Sequence, residues 1–222
     1  MKAESLIFDI DGTLWDSRAL VADGYNLQLR DEGLEKYCVN AEQLKALFGK
    51  TMSEIADLMF SDMKASERYA LMERCMERED AFLRENASEA IAFEGVKETL
   101  TELAKNYRLF IVSNSQKGYP EITMQKIGVE HLFSGHLCFG DTQTDKGRTI
   151  KTLMAMYDIK DAVYIGDTQG DYEAALIAGI PFIWAAFGFG EPEGYAMKID
   201  SFRELENISK IIIDINIDNE MH

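Results

Sequence analysis

Residues 5–14 read SLIFDIDGTL, a largely apolar run that ends at two aspartates separated by one residue. The four residues before Asp9 have the length and composition of a strand that is buried on both faces of a sheet. Asp9, Asp11 and Thr13 come directly after this predicted strand. In an open α/β sheet, ligands bind beyond the carboxyl ends of the strands. The stretch therefore predicts a parallel sheet with a functional site at its edge.

The same pattern recurs along the chain, and further strands are predicted at 107–112, 162–165 and 180–185. The first two of these runs end in polar clusters, at 113–115 and 166–168. Helical patterns lie between the predicted strands, at 95–105, 116–127, 147–157 and 169–178. This alternation predicts an α/β fold, a doubly wound parallel sheet with right-handed crossovers.

Residues 17–86 interrupt the alternation, because they contain no convincing strand. Their apolar side chains, many of them methionine or aromatic, recur at helical spacing and indicate helices with a shared core. We call this segment the helical insert. We expect a core domain of residues 1–16 and 87–222, with residues 17–86 as a helical cap domain. The isoleucine-rich stretch 211–215 is compatible with an edge strand or with a helix.

Composition excludes several classes of partner. The 222 residues include 39 acidic and 23 basic side chains, a formal net charge of −16, and no basic stripe. Such a chain is repelled by nucleic-acid phosphates and by anionic membrane surfaces. No stretch reaches the ~18 apolar residues of a membrane span, and the N-terminus does not resemble a signal peptide. With scattered cysteines typical of a reducing compartment, we expect a cytoplasmic monomer or small homo-oligomer.

The polar clusters predict a common site. Asp9, Asp11, Ser113 and Asp167 all follow predicted strands and meet at one edge of the sheet. Several carboxylates at one place repel each other, so a cation is expected among them. Oxygen ligands favour Mg²⁺ over zinc, and Lys146, just before a predicted helix, is a second candidate cation. A carboxylate nucleophile, a metal, a hydroxyl and an ammonium are the parts that phosphoryl transfer requires.

The ordered motifs resemble those of the haloacid-dehalogenase-like hydrolases. The segment 9–14, DIDGTL, resembles the first motif of that family. Ser113, Lys146 and the segment 166–171 are similar to the second, third and fourth motifs, in the same order and over nearly the whole chain. The helical insert resembles the cap of the phosphoglycolate-phosphatase-like subgroup. The resemblance implies a Rossmann-like core and a Mg²⁺-dependent phosphatase acting on a small-molecule phosphate ester.

The resemblance also implies catalytic roles. Asp9 is implied as the nucleophile that forms an aspartyl-phosphate, and Asp11 as the general acid and then the general base. The implied Mg²⁺ ligands are the carboxylates of Asp9 and Asp167 and the backbone carbonyl of Asp11. The presence of Asp11 argues against dehalogenase or phosphonatase chemistry, because those branches lack this second aspartate.

Phosphate binding is implied for Ser113, Asn114 and Lys146. Many relatives have proline after the lysine of the third motif, whereas Gly147 follows Lys146 here. Lys151 is therefore the alternative for the functional lysine, and Lys146 is preferred.

Supporting roles are implied for Thr13 and Asp171, and Asp171 would steady Lys146 or the waters of the metal. Lys50, after a glycine of the helical insert, is a candidate for substrate specificity against the alternative of a solvated surface lysine. Lys117, after the second motif, is interpreted as an exposed lysine, against the alternative of a contact with a second anionic group of the substrate. Tyr119 is interpreted as a packing residue.

Other functions remain compatible with the motifs. A phosphomutase of the same family would differ in what the cap lets reach the aspartyl-phosphate. A phospho-aspartate signalling receiver would also combine acids, a hydroxyl and a lysine, but it predicts a chain near half this length without an insert. The substrate stays open among phosphoglycolate, a sugar phosphate, a nucleoside monophosphate and pyrophosphate.

Overall fold

The computed structural model describes residues 4–207. Six parallel strands form one sheet in the order β3-β2-β1-β4-β5-β6, which confirms the predicted doubly wound α/β fold. The strands are β1 (Ser5–Phe8), β2 (Arg108–Ser113), β3 (Phe133–Cys138), β4 (Ala162–Gly166), β5 (Phe182–Ala185) and β6 (Met197–Ile199). All four residues of β1 are buried because β1 is central, between β2 and β4.

Helices cover both faces of the sheet. They are α1 (Arg18–Asp31), α2 (Ala41–Lys45), α3 (Met52–Met59), α4 (Ala65–Asn86), α5 (Val96–Leu103), α6 (Tyr119–Ile127), α7 (Phe139–Thr142), α8 (Lys146–Met156) and α9 (Gln169–Ala178). Successive strand residues point to opposite faces, so Leu6 and Phe8 pack with α5 and α6, while Ile7 packs with α8 and α9. No helix within residues 4–207 has the length and apolar character needed to cross a membrane.

The helical insert consists of α1 to α4 with short connections and contains no strand, as its spacing predicts. Helices α1 and α4 lie close together at Gly24, where an added Cβ would come 2.9 Å from the Cα of Glu79. A glycine at this position therefore lets α4 bring Glu79 against α1. The division of the chain into a core domain and a cap domain stays a prediction.

Two strands lie outside those predicted from the sequence, and both are at the edges of the sheet. β3 contains serine, glycine and histidine and is only partly buried, and β6 has three residues. Edge strands tolerate polar side chains because one side is open, so they lack the continuous apolar run of a central strand. The stretch 211–215 lies outside the described residues.

Candidate active site

Strand register places the predicted site residues together. Phe8, the last residue of β1, pairs with Ile111 of β2 and Ile165 of β4. The residues that follow these positions therefore meet at the carboxyl edge of the sheet. Asp9 and Asp167 are both buried there, at 3% and 0% exposure.

Lys146 bridges two of the predicted acids. It is the first residue of α8, and its Nζ donates hydrogen bonds to Asp9 Oδ1 at 2.9 Å and Asp171 Oδ1 at 2.7 Å. Burial disfavours the ammonium charge, but Asp171 and Asp9 outweigh this effect and raise the pKa of Lys146. Lys151 is exposed on the same helix, so the structure brings Lys146 rather than Lys151 to Asp9.

Both carboxylate oxygens of Asp171 have donors. Oδ1 accepts from Lys146 and from the Tyr164 hydroxyl at 3.2 Å. Oδ2 accepts from the Thr168 hydroxyl at 2.6 Å and from the backbone N–H groups of Thr168 and Asp167 at 2.9 and 3.2 Å. Burial alone would raise the pKa of Asp171, but Lys146 and Thr168 hold it below its usual range. These bonds suit Asp171 to orienting Lys146 and the start of α9, and not to binding a ligand directly.

Asp167 has one oxygen available. Its Oδ2 accepts from the backbone N–H of Phe189 at 2.7 Å, while Oδ1 is buried without a hydrogen-bond partner among the described residues. Gly12, whose φ is +81°, and Gly188 lie so close that a Cβ on either would overlap the Asp167 side chain. Burial raises the pKa of Asp167 well above its usual range, and the Asp171 and Asp9 carboxylates raise it further.

The acidic cluster contains more carboxylates than ammonium groups. Oxygens of Asp9, Asp167 and Asp171 all lie within 4.8 Å of one another, and Lys146 is the single cation bonded to this group within residues 4–207. Burial raises the pKa of Asp9, Asp171 adds to the shift, and Lys146 opposes it. Because Asp171 is fully bonded, Asp9 and Asp167 are the residues whose oxygens fit a hard divalent cation.

Asp11 is held by three donors on one oxygen. Its Oδ1 accepts from Trp15 Nε1 at 2.9 Å, the Ser17 hydroxyl at 2.6 Å and the Tyr119 hydroxyl at 2.7 Å. Burial raises the pKa of Asp11, and these hydrogen bonds oppose the shift. A carboxylate oxygen that accepts three hydrogen bonds has no free lone pair, so a proton on Asp11 would lie on Oδ2.

Interpreting Tyr119 as only a packing residue is wrong, because its hydroxyl also binds Asp11. The short sequence separation of Trp15 and Ser17 from Asp11 was a signal that could have pointed to these two donors. Tyr119 lies 108 residues from Asp11, and only the folding of α6 against the β1 loop brings it there. Lys117 is exposed, as predicted, with its Nζ 3.8 Å from Asp141.

The loop after β2 contributes further polar groups. Ser113 is buried, and its hydroxyl accepts from the backbone N–H of Ser115 at 3.2 Å. Asn114 Nδ2 donates to the carbonyl of Gly49 at 2.8 Å, so this loop is bonded directly to the helical insert. Buried oxygens of Thr13, Asn114 and Ser115 have no partner within residues 4–207. Asn114 and Ser115 line the cavity at the site, so their oxygens are available to a bound ligand, whereas Thr13 does not line it. Ser115 was not predicted from the sequence.

A cavity of about 30 Å³ lies between the carboxyl edge of the sheet and the helical insert. The edge contributes Asp9, Asp11 and Lys146 to its lining, and the insert contributes Tyr25, Lys50 and Glu79. Lys50 is exposed and also lines an adjoining open cleft of about 760 Å³. The structure therefore places Lys50 at the mouth of the site.

Comparison with known proteins shows the family. The family model for haloacid dehalogenase-like hydrolases matches residues 6–185, and the chain belongs to this family. A phosphoglycolate phosphatase from Xanthomonas campestris pv. campestris is 29% identical over 191 residues, which cover 83% of this chain and 84% of that protein. A phosphoglycolate phosphatase from Caulobacter vibrioides is 24% identical over 200 residues, covering 86% and 82%.

Solved structures share the fold. A predicted phosphatase from Clostridium acetobutylicum has a TM-score of 0.80 at 19% identity and covers 96% of this chain and 99% of its own. A predicted phosphoglycolate phosphatase from Haemophilus somnus has a TM-score of 0.78 at 22% identity, covering 94% and 99%. The family match confirms the family and the enzyme class predicted from the sequence, a haloacid dehalogenase-like hydrolase.

Proposed function

We propose that the chain is a Mg²⁺-dependent phosphatase that hydrolyses a small phosphorylated metabolite through an aspartyl-phosphate on Asp9. The observation that carries this proposal is the buried contact of Asp9 with Lys146, beside an Asp167 oxygen that has no partner in the described chain. Family membership favours this hydrolase over the signalling-receiver alternative. Since Cys38, Cys75 and Cys138 are all free, the cytoplasm is the proposed location.

In the first half of the reaction, the Asp9 carboxylate attacks phosphorus and the bond from phosphorus to the ester oxygen breaks. Asp11 gives the proton on Oδ2 to the departing oxygen, so the product leaves as an alcohol. Trp15, Ser17 and Tyr119 hold the other oxygen of Asp11 and thereby fix the direction of Oδ2. General acid catalysis of this kind typically contributes ~10²–10⁴-fold.

In the second half, a water attacks the phosphorus of the aspartyl-phosphate. Asp11, now ionised, takes a proton from this water, and the bond between phosphorus and the Asp9 oxygen breaks. Inorganic phosphate leaves, the Asp9 carboxylate is regenerated, and Asp11 is again protonated. Ser113, Asn114 and Lys146 bind the phosphate oxygens during both halves, and Thr13 and Asp171 support them.

The Mg²⁺ would be held by the carboxylates of Asp9 and Asp167 and by the Asp11 carbonyl. When bound, it supplies positive charge that neutralises the phosphate oxygens. The unpartnered Asp167 oxygen and the excess of carboxylates over ammonium support this assignment. The helical insert lines the cavity together with the carboxyl edge of the sheet, and a site covered in this way favours a small ester over a phosphoprotein.

The purified protein, assayed against a panel of phosphorylated metabolites with Mg²⁺ and with EDTA, tests the proposal. We expect phosphate release from at least one small ester when Mg²⁺ is present and no release when EDTA removes it. Absence of phosphate release from every ester, including p-nitrophenyl phosphate, would contradict it.

A further inference from the structure

Glu79 is a buried acid that the proposed mechanism does not use. Within residues 4–207, five charged side chains are buried: Asp9, Lys146, Asp167, Asp171 and Glu79. The first four form the cluster at the carboxyl edge of the sheet, whereas Glu79 comes from α4 of the helical insert, with 3% exposure. Burying a carboxyl group costs free energy, whereas an apolar side chain packed at the same position would not incur this cost.

No cation compensates Glu79. It forms no ion pair with any residue that the structure describes. The amide Nε2 of Gln116 approaches its Oε2 at 3.4 Å, a long contact, and donates a shorter bond of 2.9 Å to Asp80. Tyr25 is its second hydrogen-bond partner. A buried carboxyl group with two protein partners and no cation retains capacity to accept further hydrogen bonds from a ligand.

Glu79 faces the same cavity as the predicted general acid. Asp11, Glu79, Tyr25 and Gln116 all line this cavity between the sheet edge and the helical insert. Burial raises the pKa of Glu79 well above its usual range, and the nearby Asp80 and Asp11 carboxylates raise it further, opposed by Tyr25 and Gln116. Two carboxyl groups therefore border the space next to the departing oxygen.

The geometry points to Glu79 as a specificity-determining residue, which favours an alcohol part that carries a hydrogen-bond donor, hydroxyl or ammonium, and disfavours one that carries a carboxylate. This inference rests on the proposed phosphatase function and deepens it. A site of this kind would accept polyol and amino-alcohol phosphates and would discriminate against phosphorylated hydroxy acids such as phosphoglycolate.

The physical reason is the charge of the cavity. A hydroxyl or ammonium group would donate to Glu79 and satisfy its carboxyl oxygens, whereas a carboxylate would lie beside the acids Asp11 and Glu79. The buried ammonium of the same cavity, Lys146, is already bonded to Asp9 and Asp171. The lysine that the insert contributes, Lys50, is exposed and forms no ion pair with Glu79 in the described structure. A site that leaves a buried polar group unpaired, or opposes like charges, rejects the wrong substrate strongly.

The test compares kcat/KM of the wild-type protein, with Mg²⁺, for four esters. Glycerol 3-phosphate carries hydroxyl donors, phosphoethanolamine carries an ammonium, 2-phosphoglycolate carries a carboxylate, and p-nitrophenyl phosphate reports basal phosphatase activity. We expect the better of the two donor esters to exceed phosphoglycolate by about tenfold or more. The donor ester with the higher kcat/KM shows whether the preferred donor is a hydroxyl or an ammonium group.

The variant Glu79→Gln removes the charge and keeps the shape. We expect it to raise the ratio of kcat/KM for phosphoglycolate over the preferred donor ester by about tenfold. Glu77→Gln is the matched control, because Glu77 is an exposed acid on the same helix, and it should leave the ratio unchanged. Circular dichroism establishes that both variants are folded.

The outcomes are distinguishable. Absence of p-nitrophenyl phosphate hydrolysis by the wild type overturns the phosphatase function and this inference together. Hydrolysis with phosphoglycolate preferred by the wild type, or a folded Glu79→Gln variant with an unchanged ratio, overturns the inference alone. If Glu79→Gln does not fold, the wild-type preference decides.

Discussion

Lys146 Nζ lies 2.9 Å from Asp9 Oδ1, which joins two residues 137 positions apart and links the start of α8 to the end of the central strand. Both side chains are almost wholly buried, at 4% exposure each. A buried ion pair of this kind is held by its geometry and by additional hydrogen bonds, here those that Asp171 receives. The same contact that orders the site also places an ammonium beside the proposed nucleophile.

Replacing Asp9 with asparagine tests the proposed nucleophile. Asp9→Asn should lower kcat by more than about 10³-fold, because an amide keeps the shape but does not attack phosphorus. Far-UV circular dichroism should be unchanged, since the amide oxygen still accepts from Lys146. Asp23→Asn, at an exposed aspartate of α1, is the control and should retain activity. Full activity in Asp9→Asn would contradict the assignment.

Asp11→Asn should separate the two halves of the reaction. Hydrolysis of an alkyl phosphate should fall by ~10²–10⁴-fold, because its departing oxygen needs a proton. With p-nitrophenyl phosphate, the first half should be spared and the second should be slow, since water loses its base. Rapid-quench measurements should therefore show a burst of nitrophenol and accumulated phosphorylated protein. A uniform loss with every ester and no burst would mean that Asp11 has only a structural or metal-binding role.

Lys146→Met should reduce stability as well as activity. Removing the ammonium leaves Asp9 and Asp171 buried without their cation, and breaking a buried pair in this way costs about 3–5 kcal/mol. Urea unfolding measures this change in the free energy of unfolding. Lys151→Met, at the exposed lysine of α8, should change it by less than about 0.5 kcal/mol. Equal effects of the two substitutions would argue against the bridge.

Removal of the metal should stop turnover and lower stability. EDTA should abolish phosphate release and Mg²⁺ should restore it, because the phosphate oxygens and the carboxylates need a common counter-charge. At Mg²⁺ near 100 times its Kd, the free energy of unfolding should rise by about 2.7 kcal/mol. Asp167→Asn should lose this stabilisation, which thermal unfolding measures without reference to activity. Turnover that persists in EDTA would assign the carboxylate cluster another purpose.

Lys50→Ala should raise KM for the preferred metabolite by about tenfold and have less effect on p-nitrophenyl phosphate. Lys50 lies at the mouth of the cavity, so a proposed contact with the part of the ester that is not transferred accounts for this difference. Lys45→Ala, at an exposed lysine at the end of α2, is the control. Equal effects of Lys50→Ala on both esters, or none, would leave Lys50 as a surface lysine.

Much of the site could be predicted from local sequence. Asp9 and Asp167 each follow an apolar run that is long enough for one buried strand, and parallel strands end at the same edge of a sheet. Their proximity therefore follows from strand order and hydrophobic pattern. The helical insert was equally visible, because helical spacing depends on neighbouring residues in the chain.

Other contacts depend on how separate elements pack. The edge strands β3 and β6 are partly exposed, so no apolar run marks them, and their pairing follows from the strands beside them. Tyr119 reaches Asp11 because α6 lies against the loop after β1, and no pattern within α6 encodes that distance.

The sequence by itself determined the α/β sheet, the strand-end motifs and the chemical types of the proposed catalytic groups, because these depend on local hydrophobic periodicity and residue identity. Only the tertiary structure decided that one oxygen of Asp11 takes three donors and that Glu79 of α4 faces the cavity. A helix pattern shows which residues share a face, but the partner of that face depends on packing, here the close approach of α4 to α1 at Gly24.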